Sequence, residues 1–269
     1  MKTRILPLLI LALASCAGLR AQQPGNILHV EIGGGLHTLT YRASGAERNP
    51  GGGVGLRAEY RRFFNRSAGL GVGAGFSTYR SSAVINTTES GSWSTSQGVI
   101  HATDRYEDWT ESQGLFKVSI PVSFYLQHAI NRKWSVIWGI GPQLDIPVNN
   151  EYSATSGRMT RSTADGAAEE EAQSTLHRIR STAVALSAGT DLGFHFSGSG
   201  SLPLYFGVYA DYGITSFLRP HEGPLYSDRY EGLFSSGRVG SARTLSVGIK
   251  AGFSLNLSQT CRGGRCGFY

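Results

Sequence analysis

Bulky apolar residues recur at every second position in eight separate stretches of this chain. A period of two specifies strands and excludes amphipathic helices as the main element. The first stretch is 27–41, with Leu28, Val30, Ile32 and Leu36 on one face. The second covers roughly 52–62, with Val54, Leu56, Ala58 and Tyr60 set against Arg57, Glu59 and Arg61. The third contains GLGVGAGFST, residues 69–78, where glycine fills every alternate position. The fourth (114–127) aligns Phe116, Val118, Ile120, Val122, Phe124 and Leu126, and the fifth (133–148) aligns Trp134, Val136, Trp138, Ile140, Leu144 and Ile146. Stretches near 181–196, 202–215 and 243–257 complete the set.

The connections alternate in length. Short ones, FFNRS, HAINR and SGSGS, join stretches two to three, four to five and six to seven. Residues 80–113, 149–180 and 216–242, rich in Ser, Thr and charge, read as long loops, and RASGAERNPG joins the first two stretches. Short turns at one end and long loops at the other characterise an up-and-down barrel of an outer membrane. The expected fold is therefore all-β: an eight-stranded antiparallel up-and-down transmembrane β-barrel with short periplasmic turns and long extracellular loops.

Alternation alone also fits a soluble barrel with its apolar face inward. The polar face decides between them. Glycine weakens a strand interior and gains nothing on a wet surface, whereas on a crowded inner wall it leaves room for a neighbour's long side chain. Pairing stretches two and three through FFNRS is expected to set Glu59 opposite Gly69 and Arg57 opposite Gly71. The inner wall then carries Glu31, Arg57, Glu59, Arg61, Lys117, Asp145, Asp191, Asp211 and Lys250, with His29, His37 and His195. Buried charges must be paired, so a salt-bridge lattice is expected to fill the lumen. Pro121 and Pro147 fall within strands of a closed sheet, where local bulges are expected.

MKTRILPLLILALASCAGLRAQQ reads as a secretory signal: Lys2 and Arg4, an apolar run over 5–14, and cleavage between Ala21 and Gln22. LASC at 13–16 resembles a lipobox, the alternative in which Cys16 is lipidated. The expected organisation is a signal peptide at 1–21, a barrel over 22–257 and a periplasmic tail over 258–269. In that tail Cys261 and Cys266 are expected to form a disulfide, because an exported chain meets an oxidising compartment. The formal net charge of +6 is scattered, which leaves no footprint for nucleic acid.

VSIPVSFYLQHAINRKWSVIWGIGPQLDIPV resembles the outer-membrane β-barrel domain family common in Bacteroidota, which includes the PorT-like proteins. The resemblance rests on Ile120-Pro121, the aromatic opening at Trp134 and Gly139-Ile140-Gly141-Pro142. KAGFSLNL at 250–257 looks like the terminal recognition strand of such barrels, although this chain continues beyond it. The resemblance implies an eight-stranded barrel inserted by the outer-membrane assembly machinery and contacting outer-membrane lipid. It leaves the role open, because fold does not fix function.

Catalytic sets are thin. His37, His101, His177 and His221 with Asp104, Asp165 or Asp228 are candidates for a lipid-modifying enzyme, but no G-x-S-x-G or H-E-x-x-H occurs. Glu169, Glu170 and Glu171 read as a solvated charge run. Trp93, Tyr106 and Trp109 could form a binding tip or pack their loop on itself. Neither the GGG at 33–35 nor that at 51–53 precedes a helix, so neither is a phosphate loop. No cofactor, metal site or catalytic residue is expected. The reading is a non-enzymatic outer-membrane barrel whose loops contact the surface or an envelope protein partner, including a secretion accessory role. A lipid-modifying enzyme and a narrow pore are the alternatives.

Overall fold

The computed structural model describes residues 25–43, 45–96, 98–172, 177–179, 181–197, 202–219, 239–257, 260–262 and 265–267. The signal segment, with Cys16, Ala21 and Gln22, lies outside them. Eight long strands form the fold: β1 (Asn26–Tyr41), β2 (Gly52–Phe63), β3 (Ala68–Ile85), β4 (Gly98–Ala129), β5 (Trp134–Thr163), β6 (Ala185–Phe196), β7 (Leu204–Gly213) and β8 (Ala242–Asn256). Each pairs antiparallel with its neighbours in the chain, and β8 pairs with β1, so the sheet closes on itself. Following cross-strand partners from Asn26 through Arg62, Leu70, Phe124, Ile140, Thr190, Ala210 and Val247 returns to β1 at Leu36. A stagger of that size in an eight-stranded barrel goes with strands tilted by about 40° and an interior just wide enough for side chains.

The apolar face is turned outward. Ile32, Val54, Leu70, Val72, Phe76, Val122, Phe124, Ile140, Leu192, Phe206, Val208 and Ile249 are all exposed. A water-soluble protein does not present a continuous apolar belt around its circumference; a barrel in lipid must. Aromatics gather towards the end of the short turns, which we call the turn end: Tyr60, Phe124, Trp134, Trp138, Phe194, Phe206 and Phe253, with the Trp134 and Phe196 rings 4.8 Å apart. Towards the opposite, loop end, the outward run on β3 passes from Phe76 through Thr78 to an exposed Arg80.

Above the belt the pattern inverts. Residues 80–113 and 149–180, read from sequence as loops, are largely strand: β3 runs on to Ile85, β4 starts at Gly98, and β5 reaches Thr163. Shorter strands at Thr88–Thr95 and Gly166–Glu171 extend the sheet along β4 and β5, and Ala46–Pro50 pairs with β3. Polar residues face water here, and Leu39, Tyr79, Ile85, Tyr106, Trp109, Tyr152, Met159 and Phe217 form a buried apolar cluster inside. Ser and Thr suit an exposed strand face as well as a loop, and composition alone misassigned them. Tyr106 and Trp109 therefore pack inward, their rings 6.2 Å apart. A register shift between Glu107 and Thr110, centred on Asp108 at φ 48°, moves β4 from one inward parity to the other.

Two local expectations are corrected. Arg57 faces Gly75, Glu59 faces Gly73 and Arg61 faces Gly71, four residues from the expected register. The hinge lies further along than FFNRS suggested, because the Asn65 side chain closes the turn by accepting the amides of Ser67 (2.8 Å) and Ala68 (2.7 Å). The strand parity, and with it the inward face, is unaffected by an even shift. Beside Pro147 a bulge does occur, as pairing moves from Phe116–Asn149 to Lys117–Pro147. Beside Pro121 there is none: the β3–β4 ladder skips from Val72–Val122 to Gly75–Ser119 without a change of register.

Candidate functional site: the closed lumen

The inner wall is set by strand parity, so its charged residues come from seven of the eight strands, all but β3, and face one another across the lumen. Glu31 is the hub. Lys250 Nζ lies 2.9 Å from its carboxylate and 3.1 Å from Asp191 Oδ2. Arg57 and Arg61 each approach Glu31 at 3.8 Å, and His29 Nε2 lies 3.1 Å away. Arg61 also donates Nε and Nη2 to Glu59 Oε2 at 3.1 and 2.8 Å. Arg57 reaches Asp211 at 3.8 Å. Lys117 and Asp145 form a separate buried pair at 2.8 Å. The structure thus places all nine sequence-predicted charges on the inner wall, eight buried or nearly so and Arg57 partly exposed. His37 Nδ1 donates to the Thr78 carbonyl (2.9 Å), and its Nε2 meets the Tyr209 hydroxyl.

Glycines make this lattice possible. A Cβ on Gly71 would lie 2.8 Å from the Tyr125 ring and 3.3 Å from Arg61 Cγ, and one on Gly73 would lie 2.6 Å from Glu59 Cγ. The alternate glycines of β3 are the space that Arg61, Glu59 and Tyr125 occupy.

Sequence reasoning missed the tyrosines and glutamines that complete the network. The Tyr125 hydroxyl donates to Glu59 while Arg61 stacks 4.1 Å above its ring. Tyr205 donates to Asp191 Oδ2 at 3.0 Å, and Gln143 Nε2 donates to Asp211 Oδ1 at 2.6 Å. Parity alone would have found them, since Tyr125, Gln143 and Tyr205 share the inward phase of Lys117, Asp145 and Asp211 on their own strands. A second missed pair, Asp104 with Arg161 at 2.7 Å, lies inside the projecting sheet.

Among the described residues the lumen holds a cavity of about 50 Å³ lined by Glu31, Arg57, Lys117, Asp191, Asp211 and Lys250, with a smaller one of about 10 Å³ beside Lys117 and Asp145. The larger has room for a few waters at about 10–15 Å³ each. Above it the apolar cluster crosses the lumen; below it Phe63, Tyr125 and Ile137 pack together.

The described members of the catalytic candidates are not brought together. His37 lies in the lumen, Asp104 is held by Arg161, and His101 and Asp165 are exposed on the projecting sheet. His221 and Asp228 lie outside the described residues, and of His177 only the backbone is described. Among the described residues no group of three or more His, Cys, Asp and Glu is placed to hold a metal. In the tail, Thr260–Arg262 pairs with Arg265–Gly267 and sets Cys261 directly opposite Cys266.

No family model matches the chain, and no curated protein does. Among solved structures it is similar to Ail, the attachment invasion locus protein of Yersinia pestis (11% identity, 86% of this chain and 99% of that one, TM-score 0.32). It is also similar to Neisserial surface protein A (10%, 85% and 96%, TM-score 0.38) and to the outer membrane protein OprG of Pseudomonas aeruginosa (9%, 88% and 99%, TM-score 0.38).

Proposed function

We propose that this chain is a non-enzymatic integral protein of the bacterial outer membrane, a sealed barrel that carries a rigid sheet of elongated strands beyond the membrane for contact with other envelope or surface molecules. The observation that carries the reading is the filling of the lumen. An ion-paired middle layer lies beneath an apolar cluster, and the main cavity beside that layer is only about 50 Å³. The signal-like segment at 1–21 supports export, and the apolar belt supports insertion. The extension of β3, β4 and β5 past that belt presents a polar, water-facing surface at the loop end, which is extracellular in this orientation. The resemblance of residues 118–148 to PorT-like barrels supports an accessory role within an envelope complex.

Conductance tests the reading. The purified protein in planar bilayers is expected to give no steady current, and a reproducible ohmic channel would refute the sealed lumen. Affinity capture of the full chain from detergent extracts tests the accessory role: one stoichiometric envelope protein supports it, and its absence removes it. Mass analysis of lipid A from cells with and without the gene is expected to show no difference; a covalent change would favour an enzyme.

A further inference from the structure

The two described short turns are built alike. In Phe64-Asn65-Arg66-Ser67 and Ile130-Asn131-Arg132-Lys133 the asparagine side chain closes the turn. Asn65 accepts the amides of Ser67 and Ala68, and Asn131 those of Lys133 and Trp134, both at 2.9 Å. The amide of the apolar residue donates to the first strand residue beyond each turn, Phe64 to Ala68 at 3.0 Å and Ile130 to Trp134 at 2.9 Å. Each turn therefore presents the same trio at the membrane edge. An apolar side chain stands out, Phe64 56% and Ile130 55% exposed. The closing asparagine follows, and then an exposed arginine, Arg66 or Arg132.

Charge separates this end from the other. Arg62, Arg66, Arg132 and Lys133 are all exposed, and neither residues 60–70 nor 124–140 contain a single Asp or Glu. At the loop end the charges are mixed: Arg42, Arg80, Arg105 and Arg158 share the surface with Glu47, Glu107, Asp165 and Glu169. An exposed Phe or Ile beside an uncompensated arginine suits one environment, the boundary of a bilayer, where the apolar side chain enters the acyl region and the guanidinium meets a phosphate. Arginine's planar fork matches phosphate oxygens in bidentate fashion.

We propose that the turn end is a binding surface for the phosphates of anionic phospholipid in the adjacent leaflet, with Arg66, Arg132 and Lys133 as the ligating groups and Phe64 and Ile130 as anchors. The proposal rests on the membrane-spanning fold and adds a ligand class and a side to it. A basic side chain near an anionic surface contributes about 1 kcal/mol, or about fivefold in lipid selection.

The test uses the full chain in phosphatidylcholine bilayers doped with either brominated phosphatidylglycerol or brominated phosphatidylcholine. Bromine quenches tryptophans in contact with that lipid, and Trp134 and Trp138 lie on the outward face near this end. The wild type is expected to select phosphatidylglycerol about fivefold. The R66Q/R132Q/K133Q variant is expected to lose that selection, and R80Q/R243Q, which alters Arg80 and the exposed Arg243 at the loop end of β8, to keep it. Equal quenching by both lipids in the wild type would overturn the proposal, as would selection that survives the triple variant or disappears in R80Q/R243Q. If the triple variant does not insert, salt decides: selection by phosphate contact falls away at about 1 M salt, where screening acts over about 3 Å, and selection that persists refutes it. A chain that enters neither bilayer refutes the membrane fold; one that enters both without selection refutes only this inference.

Discussion

Ala74 and Gly73 are neighbours on β3 that point in opposite directions, and substituting each separates the two faces of the wall. Ala74 lies outward between Val72 and Phe76, midway between Leu70 at the turn end of the belt and Thr78 at the other. Arginine at the midplane of the lipid face costs about 2–4 kcal/mol, whereas on a water-bathed strand face a surface substitution stays within about 0.5 kcal/mol. Gly73 lies inward, and a Cβ there would press on the Ala58 carbonyl and stand 2.6 Å from Glu59 Cγ. Overpacking of this kind costs about 1–3 kcal/mol. Replacing glycine by alanine in a strand ordinarily returns about 0.5–1 kcal/mol, so Gly73→Ala is expected to destabilise by up to about 2.5 kcal/mol net of that return. The assay is urea titration of the folded protein in lipid vesicles, with the folded fraction read from gel mobility before and after boiling. Ala74→Val in the same assay should be neutral or mildly stabilising. The face assignment is refuted if Ala74→Arg costs less than about 1 kcal/mol, or if Gly73→Ala proves stabilising.

Lys250 joins Glu31 to Asp191, so Lys250→Met leaves two buried carboxylates short of a partner and is expected to cost about 3–5 kcal/mol in the same titration. Glu31→Gln is expected to cost less, because Arg61 keeps Glu59 and Arg57 keeps Asp211, and the double variant should recover part of the Lys250→Met loss. Asn65→Ala and Asn131→Ala each remove two turn-closing hydrogen bonds and are expected to cost about 1 kcal/mol apiece, with equal effects on the two hairpins. For the tail, Cys261 and Cys266 should resist alkylation until a reductant is added; free reaction in the exported protein would exclude the disulfide.

The eight strands and the orientation of their faces were legible in the sequence because a closed barrel has two faces and a strand has a period of two. Once Phe116 and Trp134 are assigned outward, Lys117 and Asp145 must point in as long as no bulge intervenes, and none falls between Trp134 and Asp145. Distances along the ladder were not legible in the same way. The hinge between β2 and β3 depends on which residue closes the turn, and only the Asn65 side chain in place shows that Glu59 meets Gly73. The projecting sheet was hidden for a different reason. There the outer face meets water instead of lipid, so Tyr79, Tyr106 and Tyr152 point inward while Ser and Thr face water. A reading tuned to the lipid belt sees that inversion as an end of structure. The inward parity of β3 nevertheless runs unbroken through Gly75, Tyr79, Ala83 and Ile85, from the ionic layer into the apolar one. The strand that makes room for the charge lattice is thus the same strand that roofs it, and closure of the lumen and extension of the sheet follow from one continuous alternation.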